Sequence, residues 1–150
     1  MRELTVLETQ NIEYVSDKGI KFAFVLLTEN ILSHSIFDAT RQMVAFLKEC
    51  GIHDFSTQQN GTEHRKFVNT HILTFKEDIK SRTSLYKAGT RGDKRMWFGA
   101  EVLPAVDSNN MVIVIAKDNE INVINISKID IEYCCSTNYD NPIKRLIKRF

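Results

Sequence analysis

Apolar and β-branched residues fall along the chain in short runs, and the spacing inside each run predicts its element. Ile20 to Leu27 (Ile-Lys-Phe-Ala-Phe-Val-Leu-Leu) predicts a buried strand, after a turn at Ser16-Asp17-Lys18-Gly19 that joins it to a strand near Leu4–Tyr14. Ser35 stands where an N-cap belongs, and Ile36, Phe37, Met43, Val44 and Leu47 recur at helical spacing until Gly51, which predicts a principal helix over 35–50. Residues 52–66 are polar and Gly-punctuated and predict a long loop or irregular hairpin before the β-rich run Phe67–Phe75. Met111–Ala116 and Glu120–Ile126 flank Lys117-Asp118-Asn119, which is hairpin chemistry, and Ile129, Ile131 and Tyr133 alternate with Asp130 and Glu132 as in a half-buried strand. Asn141 and Pro142 then cap and open a basic amphipathic helix that runs to Phe150. The pattern predicts an α+β chain, mainly β with helices.

Composition narrows the classes. With 150 residues, 43% of them hydrophobic, the chain can bury one substantial core and is expected to form a single domain. The ending in basic amphipathic sequence reads as a piece of a longer protein, with a small domain that carries a basic terminal helix as the alternative. No apolar run approaches the roughly 20 residues of a membrane helix, and the N-terminus lacks a signal pattern. Three cysteines, Cys50, Cys134 and Cys135, form an odd set without metal-ligand spacing, with the adjacent pair expected on opposite faces of a strand. A reducing, cytoplasmic location and a monomer are the expectations, with no membrane and no small-molecule cofactor.

Net charge is +1, so affinity for a polyanion requires clustered basicity. Positions 80–95 supply it, holding six basic residues and one acid. Residues 80–97 and the polar residues 53–66 are expected to project as two loops from a β scaffold. Arg82, Arg91 and Arg95 can each fork onto guanine, Gln58, Gln59 and Asn60 can pair with adenine, and Asp54 and Glu63 can accept from cytosine. Lys66, Lys80, Ser84, Tyr86, Lys87, Thr90 and Lys94 are suited to phosphates. Bland alternatives stand beside these. Asp93 can pair with Arg95 or cap the turn at Gly92, Trp97 and Phe98 can be core, and the whole stretch can be a solvated surface.

Other chemistries find less support. Asp78-Ile79-Lys80 is half of a metal-nuclease motif that would need Asp54 or Glu63 upstream to complete an ion site, and its alternative is a solvated turn. His34, His53, His64 and His71 lack zinc spacing, and the chain has no nucleophile elbow, P-loop or dinucleotide-binding glycine pattern. Two further classes remain open: a single-strand or RNA-binding barrel in which Tyr86 and Trp97 stack on bases, and a protein-interaction module whose basic loop docks an acidic partner.

Three blocks carry a family resemblance: Gly51-Ile52-His53-Asp54-Phe55-Ser56 with Gln58, Gly61-Thr62-Glu63 and Lys66; Ser84-Leu85-Tyr86-Lys87 with Thr90-Arg91-Gly92-Asp93 and Arg95-Met96-Trp97-Phe98; and Ile121 with Val123-Ile124-Asn125-Ile126-Ser127. Together they resemble the N-terminal domain found before some type II restriction endonuclease catalytic domains of the EcoRII and MvaI/BcnI kind, over roughly residues 40–128. The resemblance implies an open β pseudobarrel like the plant B-three transcription-factor domain, with two arms entering the major groove of double-stranded DNA. It implies binding without a cofactor, no catalytic residues in this chain, and magnesium-dependent cleavage by a separate C-terminal catalytic domain. One departure is Lys94, where the pattern Gly-Asp-Pro-Arg would have Pro, so the turn is less rigid and gains a possible phosphate contact.

Overall fold

The computed structural model describes residues 2–99 and 107–150. Its first element opens on a reciprocal cap: Glu8 N–H donates to Thr5 Oγ1 at 3.1 Å, and Thr5 N–H donates to Glu8 Oε1 at 2.9 Å. This starts helix α1 (Val6–Asp17) where a strand was expected over Leu4–Tyr14. The buried positions of α1 are Glu8, Asn11 and Val15, and two of these three are polar, so the helical period was invisible as hydrophobicity.

Strand β1 (Ala23–Leu27) follows as expected. The principal helix predicted over 35–50 is divided. Helix α2 (Glu29–His34) ends on Ser35 in the left-handed conformation, so Ser35 closes a helix rather than opening one. Phe37–Asp38 then forms the short strand β2, and Thr40 is the true N-cap of α3 (Arg41–Glu49), its hydroxyl accepting from Met43 N–H. α3 buries Met43, Phe46 and Leu47, each contributing about 1.5–3 kcal/mol relative to exposure.

Residues 52–66 include two short 3-10 turns, Phe55–Thr57 and Thr62–His64, before strand β3 (Lys66–Leu73). The basic stretch is not a projecting loop over its length. It forms most of β4 (Asp78–Lys87) and β5 (Lys94–Trp97), a hairpin whose turn alone is free of the ladder. The inward side of β4 contains Ser81 and Thr83 beside Ile79 and Leu85, which weakens the apolar alternation. The Thr83 hydroxyl is satisfied at 2.6 Å by that of Thr70, with both residues buried.

β6 (Asn110–Lys117) and β7 (Glu120–Asn125) form the expected hairpin, with Asp118 and Asn119 at φ 52 and 65° in its turn. The strand expected around Ile131 is instead helix α4 (Ile131–Ser136), capped by Asp130. Cys134 and Cys135 therefore lie on a helix, free and at least half-buried, and burial pushes the Cys134 thiol up to about 11. Helix α5 (Pro142–Ile147) has the expected Asn141 cap and Pro142 at its start.

Among the described residues, seven strands make one sheet in the order β1-β6-β7-β3-β4-β5-β2, antiparallel except for β3 with β7. The chain is thus α+β with a curled, half-barrel sheet. One core contains α3, Phe55 and residues of all seven strands, including Leu27, Phe37, Val68, Leu85, Met96, Val112 and Val123. A second core packs α1, α4 and α5 against β6, β7 and their neighbours. Among the described residues, nothing covers the outward side of β3, β4 and β5 along Phe67, Asn69, Arg82 and Lys80, which are exposed. At the sheet's open seam, edge strands β1 and β2 and helix α2 bound an apolar pocket of about 700 Å³. Arg95 lines it, with Nε buried and in no well-aligned hydrogen bond although Asp38 Oδ1 lies 3.2 Å away.

Candidate nucleic-acid interface

The two polar segments singled out in the sequence meet. Asn60 and Lys87 form an isolated parallel bridge, and Gly61 N–H donates to Lys87 C=O at 2.8 Å. Across the β4–β5 turn, Ala88 N–H donates to Asp93 C=O at 2.8 Å and Gly92 N–H to Ala88 C=O at 2.9 Å. Gly92 has φ +72°, and a Cβ there would lie 3.2 Å from Asn60 Oδ1, so glycine serves both the turn and the close approach of the second segment.

The 54–65 segment is braced from inside. Gln58 Oε1 lies 3.0 Å from His53 Nε2, while Gln58 Nε2 donates to the carbonyls of His64 and Leu85, both at 2.9 Å. Gln58 is therefore a strut, with its amide engaged by protein, whereas Gln59 and Asn60 are exposed. Burial pushes the His53 imidazole down, against the opposing influence of the Gln58 hydrogen bond. Asp54 caps the first 3-10 turn through Ser56 N–H at 3.0 Å, and the Ser56 hydrogen bonds hold its carboxyl below the usual range. Glu63 is exposed, 3.8 Å from His64. Lys66 donates from its ammonium to Ile52 C=O, tying β3 to the segment's start.

Among the three arginines expected to read bases, Arg91 is widely accessible, with 82% of its side chain exposed and Asp93 at 3.2 Å. Arg95 is held by Asp38 at 3.2 Å and Asp93 at 3.6 Å. The pairing of Asp93 with Arg95 expected from the sequence is present, and Asp93 serves Arg91 as well. Arg82 lies away from the turn, on the outward side of β4, with its guanidinium 4.2 Å from the centroid of the Phe67 ring. Lys80 is exposed two residues earlier, Ser84 and Tyr86 follow on the same side half-buried, and Lys87 is half-buried at the bridge. Thr90 and Lys94 are exposed at the turn. Phe98 is buried, as expected for core, and Trp97, 9% exposed, belongs to the same core while also lining a pocket on the β3–β4–β5 face.

Sequence reasoning missed Arg65 and Phe67. Arg65 lies 5.0 Å over the Tyr86 ring and 5.9 Å over that of Phe67, which is 47% exposed. The signal was the basic–basic–aromatic run Arg65-Lys66-Phe67 at a strand start. The result is one surface that continues from the turn and Gln59–Asn60 onto the β3–β4–β5 face.

The nuclease residues do not converge. Asp78 pairs with Leu73 at one end of β3, while Asp54 and Glu63 belong to the segment at its Lys66 end, about 20 Å away along the strand. Asp78 is paired with His71 at 2.8 Å. Among the described residues, no group of three or more His, Cys, Asp or Glu is placed to hold a metal ion, and no helix is long and apolar enough to cross a membrane.

Comparison of the chain with protein-family models, with curated proteins and with solved structures found no match in any of the three.

Proposed function

We propose that this chain binds double-stranded DNA with sequence preference, using the β4–β5 turn and the adjoining 54–65 segment as a paired reading edge. The observation that carries the reading is the Asn60–Lys87 bridge, which joins two distant polar segments into a single projection. Arg91, Gln59 and Asn60 are the exposed candidates for base edges, and Thr90, Lys94, Lys87 and Arg65 for the flanking phosphates. A half-barrel sheet with a helix packed in its core is compatible with the open pseudobarrel that the resemblance implies. In that frame the chain is the recognition or effector domain of a restriction endonuclease, and phosphodiester cleavage belongs to a separate magnesium-dependent domain.

The test is a mobility-shift titration on duplexes with a random core, in EDTA and again in magnesium, with sequencing of the bound fraction. Enrichment of one short motif without cutting supports the reading. Cutting by this chain in magnesium would replace it with the nuclease alternative, and absence of duplex affinity at low salt would remove it.

A further inference from the structure

The outward face of β3, β4 and β5 holds a second feature, separate from the reading edge. Phe67, Ser84 and Trp97 are direct neighbours across the three strands, with the small Ser84 between two aromatic residues. Two strand spacings put the Phe67 and Trp97 backbones about 9.6 Å apart. A flat ring in van der Waals contact with a neighbour on each side requires about 7 Å. All three residues line a pocket of about 460 Å³, whose wall also includes Lys80 and Arg82.

We infer that this pocket binds an unpaired nucleotide, with its base between Phe67 and Trp97 over Ser84 and its phosphate on Arg82 and Lys80. The chemistry is specific to that class. An aromatic slot selects a flat ring; Arg82, whose guanidinium lies 4.2 Å over the Phe67 ring, gives up that face to the entering base and turns to its phosphate. Two basic side chains on alternate residues of one strand meet a phosphate on the same side. Paired bases in a duplex keep their faces against one another and cannot enter, so the occupant is single-stranded, bulged or a free nucleotide. The inference does not depend on duplex binding at the β4–β5 turn.

Trp97 is the chain's one tryptophan, so its fluorescence reports on the slot directly. The whole chain is titrated with an eight-nucleotide oligodeoxyadenylate, with a fully paired duplex, with the same duplex carrying one unpaired adenosine, and with deoxyadenosine monophosphate. Saturable quenching by the oligonucleotide and the bulged duplex, absent with the paired duplex, is expected. Comparable affinity for the mononucleotide would assign the slot to free nucleotides, while much weaker affinity assigns it to polynucleotides. Phe67→Ala and Arg82→Ala should each weaken binding roughly tenfold or more, and Ser84→Leu should block it by filling the gap.

Phe67 and Arg82 are exposed, so their variants should retain the wild-type circular dichroism. Quenching by paired duplex alone, no quenching by any probe, or unchanged affinity in both exposed variants would overturn the inference. Arg91→Ala separates the two sites, since it should lower duplex affinity and leave the oligonucleotide titration unchanged. Loss of oligonucleotide quenching in Arg91→Ala would show that the slot is not an independent site.

Discussion

Asn60 sits against Gly92 so closely that a single added carbon at residue 92 would lie 3.2 Å from the Asn60 amide oxygen. The Asn60–Lys87 bridge and the Gly61 N–H bond to Lys87 C=O join the 54–65 segment to the β4–β5 turn, and Asn60 can come this close because Gly92 has both no side chain and a left-handed backbone.

Gly92→Ala should therefore act twice. An alanine at φ +72° costs about 1–2 kcal/mol of stability, visible as a lower urea midpoint. It also pushes Asn60 away, and duplex affinity should fall even at temperatures where the variant is fully folded. The double variant Gly92→Ala, Asn60→Gly removes the steric conflict while retaining the backbone strain. A coupling energy near zero between the two changes would show that Asn60 and Gly92 do not press on each other.

The parts of the fold legible in the sequence are those in which local chemistry and tertiary structure agree. Lys117-Asp118-Asn119 announces its hairpin because Asp and Asn accept positive φ, and Asn141-Pro142 announces a helix start because both satisfy or omit the orphan donors. α1 was hidden because Glu8 and Asn11 occupy its buried face: Asn11 donates to the carbonyls of Ile126 and Ile129 and accepts from Ile131 N–H. β4 was hidden by Ser81 and Thr83, small polar residues on an inner side where Thr83 meets Thr70. The composition of the candidate interface could be read, but its geometry could not. Nothing local in Asn60 or Lys87 says that they pair, and the outward slot appears only when Phe67, Ser84 and Trp97 are brought into register from three strands.

Glu8 is expected to contribute to the acid limb of stability. Its side chain has no exposed surface and is gripped by both terminal nitrogens of Arg2 at 2.8 and 2.7 Å. The Arg2 hydrogen bonds, against the opposing effect of burial and with help from Ser127 and Thr5, hold the carboxyl at about 2 rather than 4.5. A carboxyl depressed in the folded state contributes stability above its ordinary pKa and loses it as pH falls towards the folded value. The contribution is about 3 kcal/mol, and it should disappear between roughly pH 5 and pH 2. Glu8→Gln should cost about 2–3 kcal/mol at neutral pH and flatten that part of the stability–pH curve, measured by urea unfolding. An unchanged acid limb in the variant would place the titration elsewhere.

His71 has the opposite sign. Its Nδ1 lies 2.8 Å from Asp78 and its Nε2 lies 3.1 Å from Glu120, bridging β4 and β7 across β3. Burial pulls its pKa down, but the two carboxylates outweigh it and the imidazole is raised above its ordinary value. The folded state thus binds the proton more tightly than the unfolded chain. Stability from His71 is complete below the ordinary imidazole pKa and is lost as pH rises through the raised one. Lys80 is its cross-strand neighbour, and Arg145 and Arg149 line the same pocket. Unfolding midpoints should fall from pH 6 towards pH 8, and His71→Gln should remove most of that slope.

The duplex-reading proposal makes a distinction between two cations on the same turn. Arg91 carries a planar fork and 82% side-chain exposure, with Asp93 orienting it, so its contribution is expected at a base edge. Arg91→Ala should cost roughly 1–3 kcal/mol on the preferred duplex and much less on random sequence. Lys94 is exposed as well, but its ammonium is a point charge suited to a phosphate. Lys94→Ala should weaken all duplexes alike and reduce the slope of log affinity against log salt by about one. Equal losses on preferred and random duplex for Arg91→Ala would transfer Arg91 to the phosphate set and leave Gln59 and Asn60 as the remaining readers on that edge. Asp93→Asn then discriminates further: freeing Arg91 from its partner should increase affinity for every duplex while blurring the preference for one, because the charge is retained and its orientation is lost.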